Sequence, residues 1–226
     1  MRKLAASAII VTTAYAAIGQ WSALAADRQI TTFPQTLSKD CRYGRAKIYD
    51  ECSNQSVIFD AAAKQAAAEN KVLLVSFGAE WCIWCHVFEK YVHGGKTRFE
   101  YTYAFPEAPD LKFSATLYER EVRDVTEKAA RLKEFVSRSF VVVNIDAQFA
   151  PNGESVLQKT GADQHDVGGL PFIFSVDRNG RFAARFDHDR VELRRDTEDW
   201  YRGYDRERLL AHLKELHAAA VASGRN

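Results

Sequence analysis

The chain has 226 residues, 46% hydrophobic and 27% charged, enough for one packed domain of ordinary size with additional segments. Twelve glycines and five prolines are too few for a low-complexity or disordered chain. Its 31 basic and 30 acidic residues nearly balance and form neither a basic stripe nor a charge block, so no footing for nucleic acid or an anionic membrane surface is visible.

Residues 1–25 differ from the rest. Arg2 and Lys3 make a short basic start, Leu4 to Ile18 is apolar apart from small and hydroxyl residues, and Ala23-Leu24-Ala25 offers a small-x-small cleavage site. That order is the pattern of a secretory signal peptide. A retained anchor is the competing reading, but Gly19-Gln20 interrupt the apolar run before the ~20 residues a span requires. The expectation is a periplasmic protein with no stable membrane insertion after signal removal. Cleavage would take away two basic residues and no acidic one, leaving 29 and 30.

Residues 26–55 are polar, contain Pro34 and two cysteines, and show no sustained period; they read as an N-terminal extension. Ser56 to Asn70 is rich in alanine and good helix formers, with Asn70 as a plausible stop. Lys71 to Phe77 (KVLLVSF) is a continuous apolar run of the kind found in strands buried on both faces. A second helix is expected from the Cys82 region to about Val92. Residues 93–118, with Gly94, Gly95, Pro106, Pro109 and many aromatics, have no clear period and read as an inserted loop. Glu119 to Ser137 is amphipathic, with Val122, Val125, Ala129, Leu132 and Phe135/Val136 at helical spacing. Phe140 to Ile145 is a second buried strand, followed by a short helical stretch near 153–164. Phe172–Val176 and Arg181–Phe186 form a hairpin around Asn179-Gly180, and a last helix covers about Asp205 to Val221. Strands separated by helices imply parallel pairing and the hairpin adds antiparallel strands, so an α/β fold with a mixed central sheet between helical layers is expected.

Cys82-Ile83-Trp84-Cys85 stands where a buried strand gives way to a helix. On a first helical turn such a spacing brings the Cα atoms to ~5–6 Å, within disulfide range. The unpaired N–H groups and partial positive charge of the helix start stabilise a thiolate. Cys82 is then the nucleophile, and Cys85, one turn inward, the resolving thiol. Three other readings compete. A purely structural disulfide would close too small a loop to stabilise much. Zinc would require two further ligands, and none stands at matching spacing, so no metal is expected. Cys82-x-x-Cys85-His86 also fits c-type haem attachment, so a haem or metal carrier using the same cysteines with His86 as a ligand is the alternative function. Against that carrier reading, the sole methionine is Met1, so the mature chain lacks a thioether axial ligand, although a second histidine could serve.

The stretch KVLLVSFGAEWCIWC (71–85) and Gly168-Gly169-Leu170-Pro171-Phe172 with its following hairpin resemble the thioredoxin superfamily, in particular exported thioredoxin-like proteins with a tryptophan between the cysteines. The likeness extends over about 56–220. It implies a three-layer thioredoxin-like domain at 56–222, with an insertion after the catalytic helix. It further implies thiol–disulfide exchange without an external cofactor and a cis Leu170–Pro171 bond facing the cysteines. Trp81, Trp84, Leu170 and Pro171 would form the substrate groove, the backbone of residue 170 pairing with an extended partner segment. Implied partners are protein thiols and disulfides, with a membrane protein as electron donor or acceptor. A dedicated reductase is the expected role, with the direction of electron flow left open between reductase, oxidase and isomerase.

Two departures stand out. Where many thioredoxins carry a buried aspartate serving the second cysteine, this chain has Ser76, and Val142 occupies the place of the accompanying lysine. Glu80 is then the nearest candidate proton acceptor by sequence, while Ser76 also fits ordinary core packing. The insertion's aromatics (Phe99, Tyr101, Tyr103, Phe105, Phe113, Tyr118), with Lys96 and Arg98, either cap the site or pack on the flank. Cys41 and Cys52 bracket ten residues; a disulfide there would be a structural staple contributing ~3 kcal/mol, or alternatively a second redox pair. His86 is expected to be a partly exposed helical residue that favours the Cys82 thiolate when protonated.

Overall fold

The computed structural model describes residues 28–38, 40–44, 46–95, 99–105, 108–117, 125–193 and 203–225. The signal-peptide expectation for 1–25 lies outside them. Among the described residues no helix is long and apolar enough to cross a membrane.

Among the described residues, seven strands and six α-helices run in the order β1 (Thr31–Phe33), α1 (Gln55–Glu69), β2 (Val72–Gly78), α2 (Ile83–Val92), β3 (Phe99–Phe105), β4 (Ala108–Leu117), α3 (Val125–Ser139), β5 (Phe140–Asp146), α4 (Gly153–Thr160), β6 (Phe172–Val176), β7 (Phe182–Arg185), α5 (His188–Val191) and α6 (Arg206–Ser223). Five strands form one sheet in the order β1-β5-β2-β6-β7. β2 runs parallel to β5 and antiparallel to β6, while β6 and β7 pair antiparallel. This is the mixed α/β architecture of a thioredoxin-like fold.

The apolar runs sit in the middle of that sheet because both of their faces are covered. Side chains alternate along a strand. Val72 and Leu74 of β2, with Phe140 and Val142 of β5, pack under α2, α3 and α6. Leu73, Val75 and Phe77, with Val141, Val143 and Ile145, pack against Phe59, Ala62 and Ala66 of α1 and Val156 and Leu157 of α4 on the other face. Helix α1 starts at Asn54, whose side chain accepts from the Ser56 N–H at 3.0 Å, and stops at Asn70 in the left-handed region with φ 52°.

Two expectations are corrected. Residues 93–118 are not an irregular loop, since β3 and β4 form a separate two-stranded antiparallel sheet with Tyr101 opposite Ala115 and Tyr103 opposite Phe113. The alternation of aromatic and small or polar residues in FEYTYAF was its signal, masked by the flanking glycines and prolines. The orientation of that segment's aromatics, and Lys96, Arg98 and Tyr118, lie outside the described side chains. The extension is likewise not irregular throughout, because Thr31–Phe33 adds a parallel edge strand to β5. Three residues are too few for a pattern to be read. Helix α3 is described from Val125, and residues 119–124 of the expected helix lie outside the described residues.

Behind β1, the extension is fastened at several points. Cys41 and Cys52 are disulfide-bonded, with Cα atoms 5.8 Å apart and a sequence separation of 11. Asp50 Oδ1 accepts from the Cys52 and Ser53 N–H groups at 3.0 and 2.8 Å. Gln55 joins the segment to the sheet: its Nε2 donates to the Asp50 carbonyl at 2.8 Å, and its Oε1 accepts from the Asp146 N–H at 2.8 Å. Replacing both Cys41 and Cys52 by serine is expected to lower the unfolding free energy by about 3 kcal/mol in urea titrations of the oxidised protein. A loss below about 0.5 kcal/mol would show that packing alone holds the loop.

Candidate functional site

The cysteine pair is placed by the end of β2. Leu74, Ser76 and Gly78 share the strand face that carries α2. After Gly78 the chain turns, and Cys82 becomes the N-cap of α2, its Sγ accepting from the Cys85 N–H at 3.3 Å. The two cysteines are disulfide-bonded, with Cα atoms 5.3 Å apart. Cys82 is 5% and Cys85 1% exposed, so the first residue is the more accessible of the two. An N-cap sulfur stands among the free N–H groups of the first turn, where a negative charge is favoured.

Around the pair, Tyr49 and Ala79 are fully buried, with Ile48, Trp81, Trp84 and Leu170 half-buried against them. The Trp81 indole N–H donates to Gln148 Oε1. Gln148 is in turn held by Asp146, whose Oδ2 accepts from the N–H groups of Gln148, Phe149 and Ala150 at 3.1, 2.6 and 2.8 Å. Burial nevertheless pushes the Asp146 carboxyl up. Trp84 leans on Tyr204 with ring centroids 5.7 Å apart. The Leu170–Pro171 peptide is cis, and Gly169 precedes it at φ 97°, a conformation open to glycine. Trp84, Leu170, Pro171, Arg185, His188 and Tyr204 are among the residues lining a cleft of about 220 Å³. His188 Nε2 donates to the Pro171 carbonyl at 3.0 Å, leaving Nδ1 to accept from the Tyr204 hydroxyl at 3.2 Å. Burial pushes the His188 pKa down, in keeping with that neutral tautomer.

Glu80 takes a different place from the proton acceptor expected for Cys85. It is fully buried, and its Oε2 accepts from the N–H groups of Ile48 and Tyr49 at 3.1 and 3.0 Å. Its Oε1 lies 3.3 Å from His86 Nε2, and that nitrogen is 2.7 Å from the Glu80 carbonyl. Burial raises the Glu80 pKa, but the His86 contact and the two backbone N–H groups outweigh it and hold the carboxyl below its ordinary range. The carboxylate thus anchors the extension to the cysteine helix. His86, expected to be partly exposed, is only 5% exposed and turns inward to this anchor.

Ser76 is also more than core filling. Its hydroxyl lies 2.9 Å from the Tyr49 hydroxyl, in a buried contact. The sequence reading missed Tyr49 and His188. Tyr49 had one signal, being an aromatic residue inside a short segment bracketed by cysteines; His188 had none, as its role rests on a turn that brings it back to Pro171.

With the geometry in view, comparison adds one match. Residues 54–97 match a family model described as thioredoxin-like; the segment holds α1, β2, both cysteines and α2, while Pro171 lies beyond it. No curated protein matches the chain significantly. The CxxC pair within that match, set on a mixed five-stranded sheet, supports a redox protein of the thioredoxin superfamily and suggests thiol–disulfide chemistry.

The anchoring role of Glu80 has a pH signature. Its folded-state pKa is depressed, so its stabilising contribution is complete above the ordinary carboxylate value of 4.5 and is lost as pH falls through the folded value. Glu80→Gln should therefore reduce unfolding free energy at pH 7 by about 1–3 kcal/mol, with the gap from wild type narrowing below about pH 4. Urea titrations across that range test this, and a gap independent of pH would remove the charge from the argument.

Proposed function

We propose that this protein is an exported thiol–disulfide oxidoreductase that acts as a dedicated reductase of protein disulfides. The supporting observation is the disulfide-bonded pair at the N-terminus of α2, with Cys82, the less deeply buried of the two, at the N-cap and Cys85 a turn further in. In the reduced enzyme the Cys82 thiolate, favoured by the helix start, attacks a partner disulfide. A Cys82–partner disulfide forms, and the other partner sulfur leaves as a thiolate that takes a proton from water. The Cys85 thiolate then attacks Cys82 Sγ, the Cys82–Cys85 bond forms, and the second partner sulfur leaves. Thiols of a membrane electron-donor protein return the pair to the reduced state.

The cleft beside Trp84, Leu170 and Pro171 is the proposed seat of the partner, an extended segment pairing with the backbone of Leu170. The covers of Tyr49, Trp81 and Trp84 favour a selective enzyme over a general one. Export is supported by the N-terminal sequence pattern and by the Cys41–Cys52 disulfide, which persists in oxidising compartments. The carrier alternative is less favoured: the cysteines are joined to one another, and His86 Nε2 is directed at Glu80.

Cys82→Ser is expected to abolish reduction of a model protein disulfide and the formation of mixed disulfides with glutathione; an unchanged rate would defeat the proposal. The reductive direction calls for a Cys82–Cys85 potential near the thioredoxin value of about −270 mV, whereas a value near −120 mV assigns an oxidase.

A further inference from the structure

Resting on that reading, one feature of the extension bears on the inner sulfur. Tyr49 is fully buried, and its ring enters the cluster formed by Ala79, Cys82 and Cys85. A Cβ built on Gly78 would fall 2.6 Å from Cys85 Sγ and closer still to the Tyr49 hydroxyl, so the phenol and the sulfur converge on one point above the strand. Only glycine at 78 leaves room for both. On the same strand face, Ser76 Oγ lies 2.9 Å from Tyr49 Oη. In the β2–β5 register Ser76 stands beside Asn144, which is 1% exposed and whose Nδ2 has no hydrogen-bond partner among the described residues.

We propose that Tyr49 is a positioning residue for the resolving step, its phenol O–H donating to the Cys85 thiolate while Ser76 donates to the phenol oxygen and fixes its direction. Cys85 loses its proton to water, and the thiolate formed is held by a neutral donor where a buried carboxylate is absent from β2. A charge-assisted hydrogen bond of this kind is among the stronger ones available in a closed site. Tyr49 is suited to it because it stays protonated. Burial drives the phenol pKa well up; the Ser76 bond opposes this, and the carboxylates of Glu89, Glu80 and Asp146 add to it. Those carboxylates, His86 beside Glu80 and the Tyr204 phenol are the ionisable neighbours against which a pH profile must be read. The donor is brought by a segment closed by Cys41–Cys52 and pinned through the Tyr49 N–H to Glu80.

The test is single-turnover reaction of the reduced full-length protein with dithiodipyridine, with acid quenching and peptide mapping. Mapping separates the Cys82 adduct from the closed Cys82–Cys85 disulfide, and both from any reaction at Cys41 and Cys52. Tyr49→Phe removes one oxygen and keeps the ring. It should leave formation of the Cys82 adduct within about twofold of wild type, slow its closure by Cys85 about tenfold at pH 7, and raise the pH midpoint of closure by about one unit. Closure with wild-type rate and midpoint would overturn the proposal, as would equal slowing of both steps with an unmoved midpoint, the pattern of a packing role. If Tyr49→Phe does not fold, Ser76→Ala decides: closure slowed several-fold behind a normal first step supports the proposal, and unchanged closure overturns it. A wild-type protein that forms no Cys82 adduct would instead defeat the oxidoreductase reading itself.

Discussion

β2, buried on both faces, ends at Gly78, where the chain turns toward the cysteine helix. Everything at the cysteine pair is referred to it. The register of β2 between β5 and β6 fixes which residues face α2, and Leu74, Ser76 and Gly78 are among them. Leu74 packs against the helix, Ser76 presents a hydroxyl, and Gly78 presents nothing, so Cys85 can drop close to the backbone. A shift of one residue in that register would turn Leu73, Val75 and Phe77 toward α2 and displace the sulfur.

The buried Glu80 carboxylate solves a second problem set by the same place. A charge removed from water is strongly unfavourable unless hydrogen bonds replace the lost solvent. Here two consecutive backbone N–H groups and His86 supply them. The consequence is geometric: two N–H groups from one segment on one oxygen fix the position of residues 48 and 49, and through them the phenol of Tyr49. A neutral residue at 80 could not gather those groups as strongly.

What was legible in the sequence follows from how local each determinant is. The continuous apolar runs of β2 and β5 could be placed because burial on both faces leaves an unbroken pattern, and the Cys82–Cys85 spacing because a helix start makes it meaningful. The Asn179-Gly180 hairpin was local chemistry too. The edge strand β1 was invisible, since three residues gain their conformation only by pairing with Val141, Val142 and Val143 far along the chain. The β3–β4 sheet was obscured because glycine and proline at its borders outweighed a short alternation. His86 was misjudged as partly exposed because its burial depends on Glu80 and on the extension, neither of which a helical pattern contains.

Ser76 shows most clearly how these long-range contacts change the meaning of a residue. Considered alone, a serine on a buried strand is filler that satisfies its hydroxyl on nearby backbone. Beside Tyr49 it becomes half of a hydroxyl pair, and the pair is complete only when the 41–52 segment is docked. Neutral hydroxyls are easier to bury than a carboxylate with a lysine, because far less hydration is surrendered. They require closer positioning in return, since a hydrogen bond weakens steeply with distance and angle where a charge acts at longer range. That requirement accounts physically for the fastening around Tyr49: a disulfide at the segment's ends, the Asp50 turn within it, the Gln55 bridge to β5, and the Glu80 carboxylate under its backbone. The extension and the end of β2 therefore form one polar unit, and a substitution in either is felt in the other.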